Sequence, residues 1–163
     1  MRAISRDEIE QGWYAICELD EEQTQTLVQR FMQEQPALGI YISVGFESLE
    51  EHPDSPLIEV ILACWQAMFQ STSVTLKQVT PEEIESAEEK NTQALQQLEE
   101  SSEIEWQAAV VSLLGDYNQR ELLGFGIEML MSGNEESPEL APESIGLELI
   151  WLKTTLDCLD KAG

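Results

Sequence analysis

Carboxylates are the side chains of this sequence numerous enough to do chemistry, and they come in runs: Glu82-Glu83-x-Glu85, Glu88-Glu89 and Glu99-Glu100-x-x-Glu103-x-Glu105. Two further groups, Glu47, Glu50, Glu51 and Asp54, then Glu135, Glu136, Glu139 and Glu143, fall in or beside proline-containing loops. Paired carboxylates act as general acid and base when their surroundings push their pKa values apart, but a run along a helix is first of all a solvated face. Hard cations need convergent oxygens, which one helix face does not supply, so such runs offer weak and nonspecific divalent-cation binding only.

Other reactive types are scarce. His52 is the only histidine, and its setting, Glu50-Glu51-His52-Pro53, reads as an exposed loop at a helix end. One histidine leaves Ser-His-Asp and Cys-His arrangements a single possible base. It also excludes the usual carboxylate-bridged di-iron bundle, which takes a Glu-x-x-His pair from each of two helices. Cys17, Cys64 and Cys158 have neither zinc-ligand spacing nor a Cys-x-x-Cys pair. Each sits beside apolar residues and reads as a buried, reduced thiol. The sequence has no glycine-rich phosphate loop, no nucleophile elbow and no calcium loop. Gly124-x-Gly126 lies in an apolar run, where close packing explains it. No catalytic, cofactor-binding or metal site is expected, and a helical enzyme using paired carboxylates is the least favoured reading.

The elements that must carry these carboxylates read as helices. Ser5 with Glu8 makes a capping box ahead of Ile9, Trp13 and Ile16, which share one face. Asp20 restarts the pattern, and Leu27, Val28, Phe31 and Met32 form a stripe up to Pro36, which ends one helix and begins the next. Leu57, Ile58, Ile61, Leu62, Trp65, Met68 and Phe69 make the clearest amphipathic helix of the first half. Thr80, Pro81 and Glu83 start a further helix, in which residues 81–105 hold nine Glu and one Lys. Its stripe of Ile84, Ala87, Ala94, Leu95 and Leu98 is thin, so it reads as a solvated helix bridging two halves. Ser102 and Glu105 cap a helix through Ala108, Val111, Leu114 and Tyr117; another runs through Leu122, Leu123, Ile127 and Leu130. The last places Ile145, Leu149, Leu152, Leu156 and Leu159 on one packing face, a seam too short for a sustained coiled coil.

Residues 38–46 alternate as a half-buried strand would, Leu38, Ile40, Ile42, Val44 and Phe46 being apolar. A weak internal repeat favours helix instead. A shift of 85 residues sets Leu38-Gly39 on Leu123-Gly124, Ile42 on Ile127, Val28 on Leu113 and Met32 on Tyr117, and the second copy is rich in helix formers. The expected fold is a single all-α domain, 1–163, a compact array of about six to seven helices. It divides into pseudo-repeated halves 1–72 and 102–163 joined by the acidic helix 81–100, with sheet limited to a short extended piece near Val74 to Leu76. Ile61, Leu62, Trp65, Leu149, Trp151 and Leu152 are the expected core.

Charge narrows the function. Against 32 Asp and Glu stand 8 Lys and Arg, a net −24 on 163 residues. Phosphate backbones and anionic membranes are bound by displacing counterions with Lys and Arg, so direct contact with either is excluded. At 42% hydrophobic the chain is too apolar to be held unfolded by its charge. No run approaches the ~20 apolar residues of a membrane span, and the first residues lack a signal peptide's apolar block, so a cytoplasmic location is expected. Crowded like charges destabilise a compact state unless solubility or a partner compensates. The sequence therefore points to a non-enzymatic acidic protein that binds a basic protein, as an inhibitor, an immunity-type partner or a mimic of nucleic acid. Glu82, Glu83, Glu85, Glu88, Glu89, Glu99, Glu100 and Glu103 are the candidate contacts. The alternative is a helical scaffold that takes a peptide or helix in an apolar groove, with charge serving solubility.

Overall fold

Local signals decide where each helix begins, and the computed structural model, which describes residues 1–47, 55–71, 76–99, 117–132 and 142–163, shows them in place. The Ser5 N–H and hydroxyl both donate to Glu8 Oε2, at 2.9 and 2.8 Å, opening α1 (Arg6–Cys17). Asp20 and Gln23 exchange reciprocal bonds of 3.0 and 2.8 Å at the start of α2 (Glu21–Glu34). Pro36 is the first residue of α3 (Pro36–Glu47), with only Gln35 between it and α2. The Leu57 N–H donates to Ser55 Oγ at 3.3 Å at the head of α4 (Leu57–Ser71). Thr80 and Glu83 close a capping box on α5 (Pro81–Glu99) with bonds of 2.9 and 3.3 Å. Then come α6 (Arg120–Ser132) and α7 (Pro142–Ala162). The fold is all-α: seven helices, and no strand among the described residues.

α4 and α7 pack against each other at the centre. Ile61, Leu62, Trp65, Trp151 and Leu152 are buried as expected, while Leu149 is half-buried. Phe31 meets Trp65 edge-on, with ring centroids 5.2 Å apart. On α3 the buried set is Leu38, Gly39, Ile42 and Gly45, a helical spacing that outweighs the strand-like alternation once Pro36 has started a helix. A Cβ at Gly45 would stand 3.0 Å from the Trp151 ring, so glycine is what lets α3 reach α7. No helix among the described residues is long and apolar enough to cross a membrane.

Several expectations change. α5 is not solvated all round: it lies along α7 and touches α3, with Ile84, Ala87 and Asn91 buried beneath it. Cys17 is exposed rather than buried: it follows Ile16 by one residue and so points off the buried stripe of Ile9, Gly12 and Ile16. Gly126 is packed on Leu152, but a Cβ at Gly124 would meet nothing within 4 Å, so packing does not explain that glycine. The 85-residue shift thus pairs a tightly packed Gly39 with an open Gly124. The expected helix from Ser102 through Leu114, the loop around His52 and Val74 lie outside the described residues. Tyr117 is described and precedes α6, and Leu76 carries no strand.

Two buried glutamines tie the layers together. Gln35, ahead of α3, donates from Nε2 to the Lys77 carbonyl at 2.9 Å and accepts from the Val79 N–H at 3.0 Å. Gln119, ahead of α6, donates to the Arg2 carbonyl at 2.9 Å and accepts from the Ile4 N–H at 3.0 Å.

Candidate functional site

The outer face of α5 carries the largest acidic run, and its helical period sorts the candidate carboxylates. Glu82, Glu85 and Glu89 are exposed. Glu83 is also exposed but engaged, its carboxylate capping the helix at the Thr80 N–H. Glu88 is half-buried and accepts from the Tyr41 hydroxyl at 2.9 Å, fastening α5 to α3. Both therefore have a structural role at positions first assigned to partner contact. α5 ends at Glu99, and Glu100 and Glu103 lie outside the described residues. Its own backbone N–H and the Thr80 hydroxyl hold the Glu82 carboxyl below its usual pKa.

Beneath α5 runs a polar seam that sequence reasoning missed. Asn91 Nδ2 donates to Thr154 Oγ1 and Asp157 Oδ2, both at 3.1 Å. Lys153 Nζ donates to Asp157 Oδ2 at 2.8 Å and lies 4.7 Å from the centroid of the Tyr117 ring. Burial pushes the Tyr41 and Tyr117 phenols well above their usual pKa and the Cys158 thiol up to about 11. Asn91, Thr154, Asp157 and Lys153 are matched to one another, whereas the buried Tyr117 hydroxyl finds no hydrogen-bond partner among the described residues. A signal was present: Asn91 occupies the place after Ile84 and Ala87 on the buried stripe, where a polar residue demands partners.

Cations are few, and five of the eight Lys and Arg are engaged in ion pairs, while Lys90 stands exposed on α5 beside Glu89. Arg2 pairs with Glu8, Arg6 with Glu10 and Glu128, Arg30 with Glu34, Arg120 with Glu121 and Lys153 with Asp157. Arg6 also stacks on Phe125, and Arg30 on Phe69 at 4.5 Å. Glu82, Glu85 and Glu89 have no cationic partner among the described residues.

Two apolar features accompany the acid. Ile40 and Val44 on α3 are 63% and 59% exposed. An apolar pocket of about 240 Å³ opens between α2, α3 and α4, lined by Val28, Phe31, Met32, Ile42, Ile58 and Ile61 among others. Among the described residues no three His, Cys, Asp or Glu side chains converge as metal ligands. No protein-family model matches this chain, and no match to a curated protein or to a solved structure emerges.

Proposed function

We propose that this chain is a non-enzymatic, cytoplasmic interaction protein that binds a basic protein partner through its acidic surface, in the manner of an inhibitor, an immunity protein or a nucleic-acid mimic. The observation that carries the reading is the outer face of α5, where Glu82, Glu85 and Glu89 stand exposed without a cation while most of the chain's few cations are held in intrachain pairs. A face of this kind steers association and selects against acidic partners.

Affinity capture from native extract at low and high salt identifies the partner by mass spectrometry. The triple variant Glu82→Gln, Glu85→Gln, Glu89→Gln then tests the face. Association slows and its salt dependence flattens, with dissociation changing less; unchanged binding removes the electrostatic reading. The pocket between α2, α3 and α4 favours a second reading, a scaffold that takes an apolar side chain of a peptide or helix. Its mark is binding that hardly changes with salt.

A further inference from the structure

Resting on that reading, we infer that the partner is a basic amphipathic helix and that it docks along the line where α3 meets α5. The Tyr41–Glu88 bond of 2.9 Å puts these helices side by side. On α3, Ile40 and Val44 stand one turn apart and flank Tyr41, forming an apolar rail at the surface. On α5, Glu85 and Glu89 stand one turn apart and continue outward from Glu88, forming an acidic rail beside it. The occupant that satisfies both rails presents apolar residues at helical spacing with Lys or Arg along one flank. A second copy of this chain does not fit, because its net charge of −24 opposes self-association.

The probe is a synthetic helical peptide of about 18 residues, Leu at helical spacing and Lys elsewhere, beside a scrambled peptide of the same composition. The amphipathic peptide binds more tightly, and the double variants Ile40→Ser/Val44→Ser and Glu85→Gln/Glu89→Gln each weaken it about tenfold. All four positions are exposed, so the variants stay folded. Equal binding of both peptides, untouched by the Ile40/Val44 change but sensitive to salt, overturns this surface and leaves the acidic reading standing. Absence of binding by either peptide at low salt overturns both. Concentration-dependent dimers that the Ile40/Val44 change abolishes overturn the heterologous partner.

A separate observation carries a second inference: the chain consists of two equivalent halves, each finished by the other, in a register different from the 85-residue shift. Ile4, Ser5, Glu8, Ile9 and Gly12 match Val79, Thr80, Glu83, Ile84 and Ala87 at an offset of 75, buried for buried and cap for cap. Gln35, Leu38 and Ile42 match Gln119, Leu122 and Gly126 at an offset of 84. α1 packs on α4 and touches α6, as α5 packs on α7 and touches α3. Each glutamine grips the segment leading into the other half's first helix, through the same carbonyl and N–H two residues apart. α5 is thus the counterpart of α1. In the full chain, replacing residues 4–12 by the sequence of 79–87 leaves helical content and cooperative unfolding intact, and Gln35→Leu and Gln119→Leu each lower the thermal midpoint, since each deprives one carbonyl and one buried N–H of its partner, with Gln119→Leu also losing the bond to Asp160 Oδ1. Loss of cooperative unfolding in the exchange, or a silent glutamine variant, overturns the equivalence.

Discussion

The three thiols of the chain live in different surroundings and will react at different rates. Cys64 is enclosed in α4 and burial alone pushes its thiol well above the usual pKa; Cys158 is raised to about 11, whereas Cys17 is exposed on α1. A disulfide reagent such as Ellman's should therefore titrate one thiol of the native protein quickly and the others only on unfolding. Cys17→Ser should remove the fast phase, and three fast thiols would contradict the packing of α4. Glu8 makes a second prediction. The Arg2 guanidinium, then the Ser5 N–H and hydroxyl, hold its carboxyl down to about 2 from 4.5. A folded-state pKa below the unfolded one contributes stability that is complete above about 4.5 and is lost as pH falls toward 2. Over that range the thermal midpoint should drop more steeply in the wild type than in Glu8→Gln, the difference isolating this group from the general relief of repulsion. Parallel curves would mean that solvent screening erases the pair.

Helix starts were legible because capping is local: Ser5, Asp20 and Thr80 each find a partner three residues on. Residues 38–46 were harder, since over a short run two periods coincide. The buried Leu38, Ile42 and Gly45 follow the helical one, while exposed Ile40 and Val44 complete the strand-like alternation. On the candidate surface the exposure of Glu82, Glu85 and Glu89 follows from periodicity. The bond from Tyr41 to Glu88 does not, because it depends on how two helices cross. Gln35 and Gln119 were illegible for the same reason: in sequence each is a polar residue before a helix. The packing of α1 allows one engineering prediction. A Cβ at Gly12 would lie 3.4 Å from the Ala63 carbonyl oxygen and 3.9 Å from the Ala67 Cβ, both ordinary contacts. Gly12→Ala should accordingly stabilise the protein by roughly 0.5–1 kcal/mol, read by denaturant unfolding, through the helix propensity it adds. A destabilised variant would show that α1 and α4 approach more closely than this geometry allows.

At the scale of the whole molecule, a net charge of −24 must be borne by the folded state. Since the Debye length is about 8 Å at physiological salt, added sodium chloride should screen the crowded carboxylates and raise the thermal midpoint from its low-salt value. A midpoint that falls with salt would assign the stability to the ion pairs instead. The glutamine bonds bear on how such a chain assembles. The Val79 N–H waits on a side chain 44 residues away and the Ile4 N–H on one 115 residues away, so neither segment can settle until a remote helix start has arrived. Hydrogen exchange should find these two amides, although they lie in non-helical backbone ahead of the helices, protected to the level of global unfolding. Closing such distant loops is slow relative to helix formation. The helices can therefore form and jostle early, while the two amide latches shut at the end, in the same step that commits the molecule to its native state.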